Sequence, residues 1–210
     1  MYKLIFFLAI GTFLSSTLIG QDDERNNFQF GIKIGTNYAN VYDGAGDDFR
    51  ADGKFGFVGG VFMAVPIVNV LGFQPEILFS QKGFKGEGTL LGSAYKLTRT
   101  TDYIDVPLYL SVKPMEILTI LAGPQVSYLR KRKDVLENDI QNLEQIEEFE
   151  NENWRKNIFG VAFGVNINLN KLVIGTRAAW DLTTNNGDGT SQTPRYKNAW
   201  VQATLGYRFL

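Results

Sequence analysis

Six ionisable side chains, Lys33, Glu76, Asp105, Arg177, Asp181 and Arg208, recur on the polar side of alternating segments spread along the whole chain. A carboxylate such as Glu76 or Asp105 set beside a lysine could transfer a proton or pass an ion. The interior of an eight-stranded barrel is about wide enough for its own side chains, so the preferred reading of the six is a structural network of paired charges filling a narrow lumen. The chain contains no histidine and no cysteine. This removes the usual proton shuttle, the usual partner of a nucleophilic serine, the commonest metal ligand, thiolate chemistry and disulfides. No catalytic residue, cofactor or metal site is expected, and the chain reads as a protein that is not an enzyme. Four carboxylates, Asp43, Asp47, Asp48 and Asp52, lie among Gly44, Gly46 and Gly53, but their spacing does not match a calcium-binding EF-hand loop. Lys and Arg number 21 against 22 for Asp and Glu, so the chain lacks the electrostatic footprint of a nucleic-acid binder.

The elements that must position these groups are strands. From Phe28 to Tyr38 one parity carries Phe28, Phe30, Ile32, Ile34, Thr36 and Tyr38, while the other carries Gln29, Gly31, Lys33, Gly35 and Asn37. Period-two alternation gives one apolar and one polar face. It recurs at 55–65, 71–82, 103–113, 117–129, 159–168, 172–182 and 199–209, which makes eight strands in all. Each is near the length that crosses a bilayer on a tilt, about 9–11 residues. The links alternate strictly. Short ones lie at 66–70, 114–116 and 169–171, and long polar ones at 39–54, 83–102, 130–158 and 183–198. Short turns on one side and long loops on the other form the pattern of an up-and-down outer-membrane barrel.

The segment ahead of the first strand has Lys3, an apolar run from Leu4 to Ile19, then Gly20 and Gln21 before an acidic cluster. That layout predicts a secretory signal peptide over 1–20 and a barrel domain over 21–210. The alternative for eight such strands is a soluble periplasmic, lipocalin-like barrel binding an apolar ligand. Which parity faces inward separates the two. Aromatic residues near strand ends (Phe28, Tyr38, Phe55, Phe73, Phe79, Tyr103, Tyr128, Trp180, Trp200, Tyr207 and Phe209) are expected to form interfacial girdles facing lipid. Glycines on the polar parity suit a crowded lumen.

The third long link is the most distinctive. It opens with Arg130, Lys131, Arg132 and Lys133, a basic tetrad suited to lipopolysaccharide phosphates at the outer leaflet. It then turns acidic, with Leu136, Ile140, Leu143, Ile146 and Phe149 spaced three or four apart, and this spacing predicts a short amphipathic helix over 134–149. The helix would either dock a protein partner through the 130–157 loop or cover the barrel mouth.

The segments FGIKIGTNYANV from Phe30, FGFVGGVFMAVPI from Phe55, GFQPEILFSQKG from Gly72, YIDVPLYLSVKP from Tyr103, AGPQVSYL from Ala122 and the terminal LGYRF resemble the PorT-like outer-membrane β-barrel family of Gram-negative bacteria. The resemblance spans nearly all of the expected barrel domain except the long loops. It implies an eight-stranded barrel inserted by the general barrel-assembly machinery and implies little about activity.

Overall fold

A strand with two unlike faces is stable only where each face meets its own environment. The computed structural model describes residues 27–43, 51–90, 93–138, 142–148, 156–185 and 196–209, and all of its regular elements are strands. They are β1 (Gln29–Asp43), β2 (Ala51–Val68), β3 (Leu71–Leu90), β4 (Ser93–Met115), β5 (Leu118–Asn138), β6 (Asn142–Glu148), β7 (Asn157–Leu169), β8 (Leu172–Asp181) and β9 (Tyr196–Arg208). The expected leader over 1–20, together with Asp47 and Asp48, lies outside the described residues.

Eight of the nine strands close a ring in the order β1-β2-β3-β4-β5-β7-β8-β9, with every pairing antiparallel and β9 returning to β1. Closure pairs the backbone of every strand on both sides, which hydrocarbon demands because an unpaired N–H or C=O there costs several kcal/mol. The short links are two-residue turns at Asn69–Val70, Glu116–Ile117 and Asn170–Lys171. Asn170 takes φ 53°, a left-handed conformation that asparagine tolerates better than most residues and that tight hairpins require.

The strands outrun the expected limits on the opposite side. β3, β4 and β5 have 20, 23 and 21 residues, whereas β8 has 10. Ten extra residues at about 3.3 Å each carry the ladder roughly 30 Å farther along the strands. Segments expected as long loops are therefore raised sheet: Leu90 pairs with Ser93, and Tyr95 pairs with Asn138.

The helix expected over 134–149 is not formed. Residues 134–138 end β5 and 142–148 form β6, which pairs with β5 and, among the described residues, with no other strand. Residues 139–141 and Phe149 lie outside the described residues. The reason is a template. β4 holds the top of β5 extended, and that leaves a row of backbone donors and acceptors for the next segment to pair with. The register then sets Lys131 opposite Glu148 and Arg132 opposite Glu147.

Facing overturns the soluble alternative. Ile32, Ile34, Leu108, Leu110, Phe163, Ile174, Val201 and Leu205 are exposed on the outside, whereas Lys33, Glu76, Asp105, Arg177, Asp181 and Arg208 are buried within. An apolar belt around a charged interior is the inverse of a water-soluble barrel. The girdles form with two corrections. Tyr103 and Trp200, at 0% and 4% exposure, point into the lumen. They belong to the parity of Asp105 and Gln202, and parity overrides aromatic type.

Candidate functional site

The lumen is built by side chains two apart on facing strands. Lys33 of β1 places Nζ 2.6 Å from Oε1 of Glu76 on β3, and Arg177 of β8 approaches the same oxygen at 3.6 Å. Gln74 donates to that carboxylate at 2.7 Å, and Arg177 donates to Asn166 Oδ1 at 2.8 Å. The Arg177 guanidinium also lies 5.4 Å from the Tyr109 ring centre, and Lys33 lies 4.9 Å from that of Phe62. Glycine makes room for this knot. A Cβ at Gly175 would stand 2.8 Å from Asn166 Oδ1 and 3.2 Å from Arg177 Nη1.

A second cluster sits nearer the raised sheet. Lys82 of β3 is 3.0 Å from Asp105, donates to Ser127 Oγ at 3.2 Å, and places Nζ 3.6 Å from the Trp200 ring centre and 4.6 Å from that of Tyr103. Asp181 accepts hydrogen bonds from the backbone and side chain of Asn198. Arg208 lies apart, at the short-turn end, where it donates to the Asn170 carbonyl. The six expected interior residues are thus all inside, and Lys33, Glu76 and Arg177 meet one another. Lys82, on the same parity as Ser80 and Glu76, is the cation the sequence reading failed to single out.

In this arrangement Glu76 and Asp105 each meet a cation and Asp181 meets the Asn198 amide through Oδ2, while Asp181 Oδ1 is buried without a hydrogen bond from any described residue, and Val58, Phe62, Leu78, Tyr109 and Leu121 are buried alongside. Buried charges of this kind are held because they are paired, and removing one partner strands the others. Among the described residues no group of carboxylates is placed to hold a metal ion.

A third cluster closes the mouth where the barrel meets the raised sheet. Arg99 of β4 makes a two-pronged contact with Asp134 of β5, Nε to Oδ1 at 2.7 Å and Nη2 to Oδ2 at 2.8 Å, and its Nη1 donates to the Tyr196 hydroxyl at 2.9 Å. Arg132 adds bonds of 2.9 and 2.6 Å to the same carboxylate, and Phe84 stands edge-on to Tyr196 at 5.3 Å. Burial alone would raise the Asp134 carboxyl, but the hydrogen bonds from Arg99 and Arg132 outweigh it and hold the group below the usual carboxylate range. The Tyr196 hydroxyl is pushed up, burial outweighing the neighbouring arginines. This clamp ties β3, β4, β5 and β9 together in a region expected to be loop, where alternation gave no signal for it.

The basic tetrad is divided by the same geometry. Arg132 turns inward to Asp134, so it does not share the outer face. The β4–β5 register runs from Tyr103↔Leu129 directly to Asp102↔Lys131, which leaves Arg130 as the extra residue of a β-bulge. Arg130 and Lys131 consequently line one outward groove together with Phe79, Asp102, Ile104, Tyr128 and Leu129.

The profile of the outer membrane protein beta-barrel domain matches residues 19–185. Similar solved structures include the attachment invasion locus protein Ail of Yersinia pestis, with 14% identity, a TM-score of 0.49, and coverage of 86% of this chain and 98% of that one. Neisserial surface protein A is another, with 12% identity, a TM-score of 0.47, and coverage of 86% and 97%. A third is OprG of Pseudomonas aeruginosa, with 11% identity, a TM-score of 0.38, and coverage of 87% and 95%. No curated protein matches the chain in sequence. The chain belongs to the outer membrane protein β-barrel domain family and is an integral protein of the outer membrane.

Proposed function

We propose that this outer-membrane barrel is a non-enzymatic scaffold that presents its raised sheet to partners in the envelope or outside the cell. The observation that supports this reading is the sheet of β3, β4, β5 and β6, which continues beyond the closed ring and, among the described residues, pairs β6 on one side alone. A strand edge with unpaired backbone groups is a template for adding another extended chain. The non-enzymatic part is supported by the lack of histidine and cysteine and by lumen carboxylates committed to Lys33, Lys82, Arg177 and Asn198. A PorT-like identity, removal of residues 1–20 on export, and insertion by the barrel-assembly machinery complete the reading.

The test replaces 134–149 by a short Gly-Ser linker and compares crosslinked envelopes with and without the change. Below the clamp the ring does not use these residues, which among the described residues pair only with the upper parts of β4 and β5 and with β6, and a shorter loop lowers closure entropy. Heat-modifiable migration on gels should therefore persist while a crosslinked partner disappears. Unchanged crosslinks would unseat the partner reading. Loss of the heat-modifiable form would place the raised sheet in the folding core.

A further inference from the structure

The outer wall of β3–β5 carries a feature that neither the lumen nor the free edge explains. A groove of about 530 Å³ opens outward there, with Phe79, Ile104 and Tyr128 as its apolar floor and Asp102, Arg130 and Lys131 at its charged end. Phe79 packs 6.3 Å from Phe57, and Tyr128 is 42% exposed, so the floor belongs to the aromatic girdle on the raised-sheet side. Apolar residues facing lipid give way to cations within one strand step of that girdle.

We infer that this groove holds a phosphorylated glycolipid of the outer leaflet, with its phosphate on Arg130 and Lys131 and an acyl chain against Phe79 and Ile104. The bulge is the first argument. Consecutive residues of a regular strand point to opposite faces, so a basic pair would normally put one cation outside and one inside. The extra residue at Arg130 puts both on the outside. Bulges re-aim side chains in this way, and they disturb the ladder locally.

Charge supplies the second argument. Arginine offers a planar fork of donors that matches phosphate oxygens, and a lysine beside it adds a point charge. Lys131 lies opposite Asp102 on β4, whereas Arg130, the bulge residue, has no partner in the β4 register among the described residues. Arg130 is therefore the principal phosphate contact and Lys131 its support.

Asp102 supplies the third. Its Oδ1 is buried and accepts no hydrogen bond from any described residue, and buried oxygens of this kind are normally satisfied. An acceptor beside a phosphate site suits the hydroxyl or amide N–H of a phosphorylated, acylated sugar. A glycerol phosphate headgroup offers fewer such donors at that position.

The inference rests on the outer-membrane location and is independent of whether the raised sheet has a protein partner. The full chain, reconstituted in phosphatidylcholine nanodiscs, should be titrated with four probes and followed by native mass spectrometry. The probes are a bisphosphorylated lipid A-type glycolipid, its dephosphorylated counterpart, phosphatidylglycerol and inorganic phosphate. The phosphorylated glycolipid should bind at least about tenfold more tightly than each of the others. Arg130→Ala combined with Lys131→Ala should remove that preference, and Lys171→Ala at the short-turn end should leave it intact. Asp102→Ala, which removes the acceptor, should lower the preference for the phosphorylated glycolipid over phosphatidylglycerol. Arg130→Gln, at an exposed bulge, gives the same reading should the double substitution fail to fold. Equal binding of the phosphorylated and dephosphorylated forms, equal binding of phosphatidylglycerol, or full binding by the Arg130 variants would each overturn the site.

Discussion

The lumen and the raised sheet are continuous along the same strands, yet they resolve their polar groups in opposite ways. Inside the ring, Lys33, Glu76 and Arg177 come from three strands and satisfy one another away from solvent. Above it, β3–β6 keep the ladder but lose ring closure, and charged side chains such as Lys96 and Glu87 stand about two-thirds exposed at 3.7 Å from each other. The difference follows from the medium outside. Lipid penalises any unpaired backbone group and so compels closure, whereas water can serve an open edge. The Arg99, Asp134 and Tyr196 clamp marks the boundary, since its charges are both paired and largely shielded.

The largest effect expected from this contrast lies in the lumen. Glu76→Gln leaves Lys33 and Arg177 without their shared counter-charge and should destabilise the barrel by about 3–5 kcal/mol in urea titrations from lipid vesicles. A loss below about 1 kcal/mol would mean that water already solvates these cations. The opposite change on the raised sheet, Glu87→Gln, should register almost nothing, because exposed pairs contribute little.

Next in size is the outer belt. Leu108, exposed on the lipid side, should cost about 2–4 kcal/mol when replaced by arginine near the midplane. Arginine at Lys96 in the raised sheet should be tolerated. Equal tolerance at both positions would contradict the assignment of lipid and water to these two zones.

A smaller and local effect is expected at the clamp. The Asp134 carboxyl is held below its ordinary value in the folded chain. Its contribution to stability is therefore fully present above the unfolded value of about 4 and is lost as pH falls through the lowered folded value. In nanodiscs, the protected Arg99 Nε–H resonance should persist from neutral pH through about pH 4 and disappear only as pH falls through the lowered folded value. Asp134→Asn should remove that dependence while the barrel stays folded. A resonance insensitive to acid in the unmodified chain would detach the clamp from Asp134.

The least perturbing measurement is electrical. With Arg177, Tyr109 and Lys82 across the lumen, and the interior of an eight-stranded ring about wide enough for its own side chains, planar bilayers should show no porin-like current. Stable, large conductance steps would require the charged clusters to part.

Sequence legibility tracked the same boundary. Within lipid, alternation identified the ring strands and placed Lys33, Glu76, Asp105, Arg177, Asp181 and Arg208 on the inner face, where they are buried. Tyr103 and Trp200 were misplaced only where residue type was weighed above parity. Beyond lipid, one face no longer has to be apolar, so the pattern faded and the upper parts of β3, β4 and β5 read as loop. The spacing of Leu136, Leu143 and Ile146 fitted a helix, but an isolated helix of that length is marginal in water. The open edge of β5 supplied a partner that local spacing could not reveal.

What the sequence determined by itself is a period, the consequent choice of inner and outer residues, and the side of the barrel on which long connections lie, because these depend on neighbours one or two positions apart. What only the tertiary structure decided is which charges meet. Lys33 reaches Glu76 across 43 positions, Arg99 reaches Asp134 across 35, and Arg130 turns outward beside Lys131 because the β4–β5 register slips by one residue there. Register and closure are set by all the strands at once, and no local pattern carries that sum.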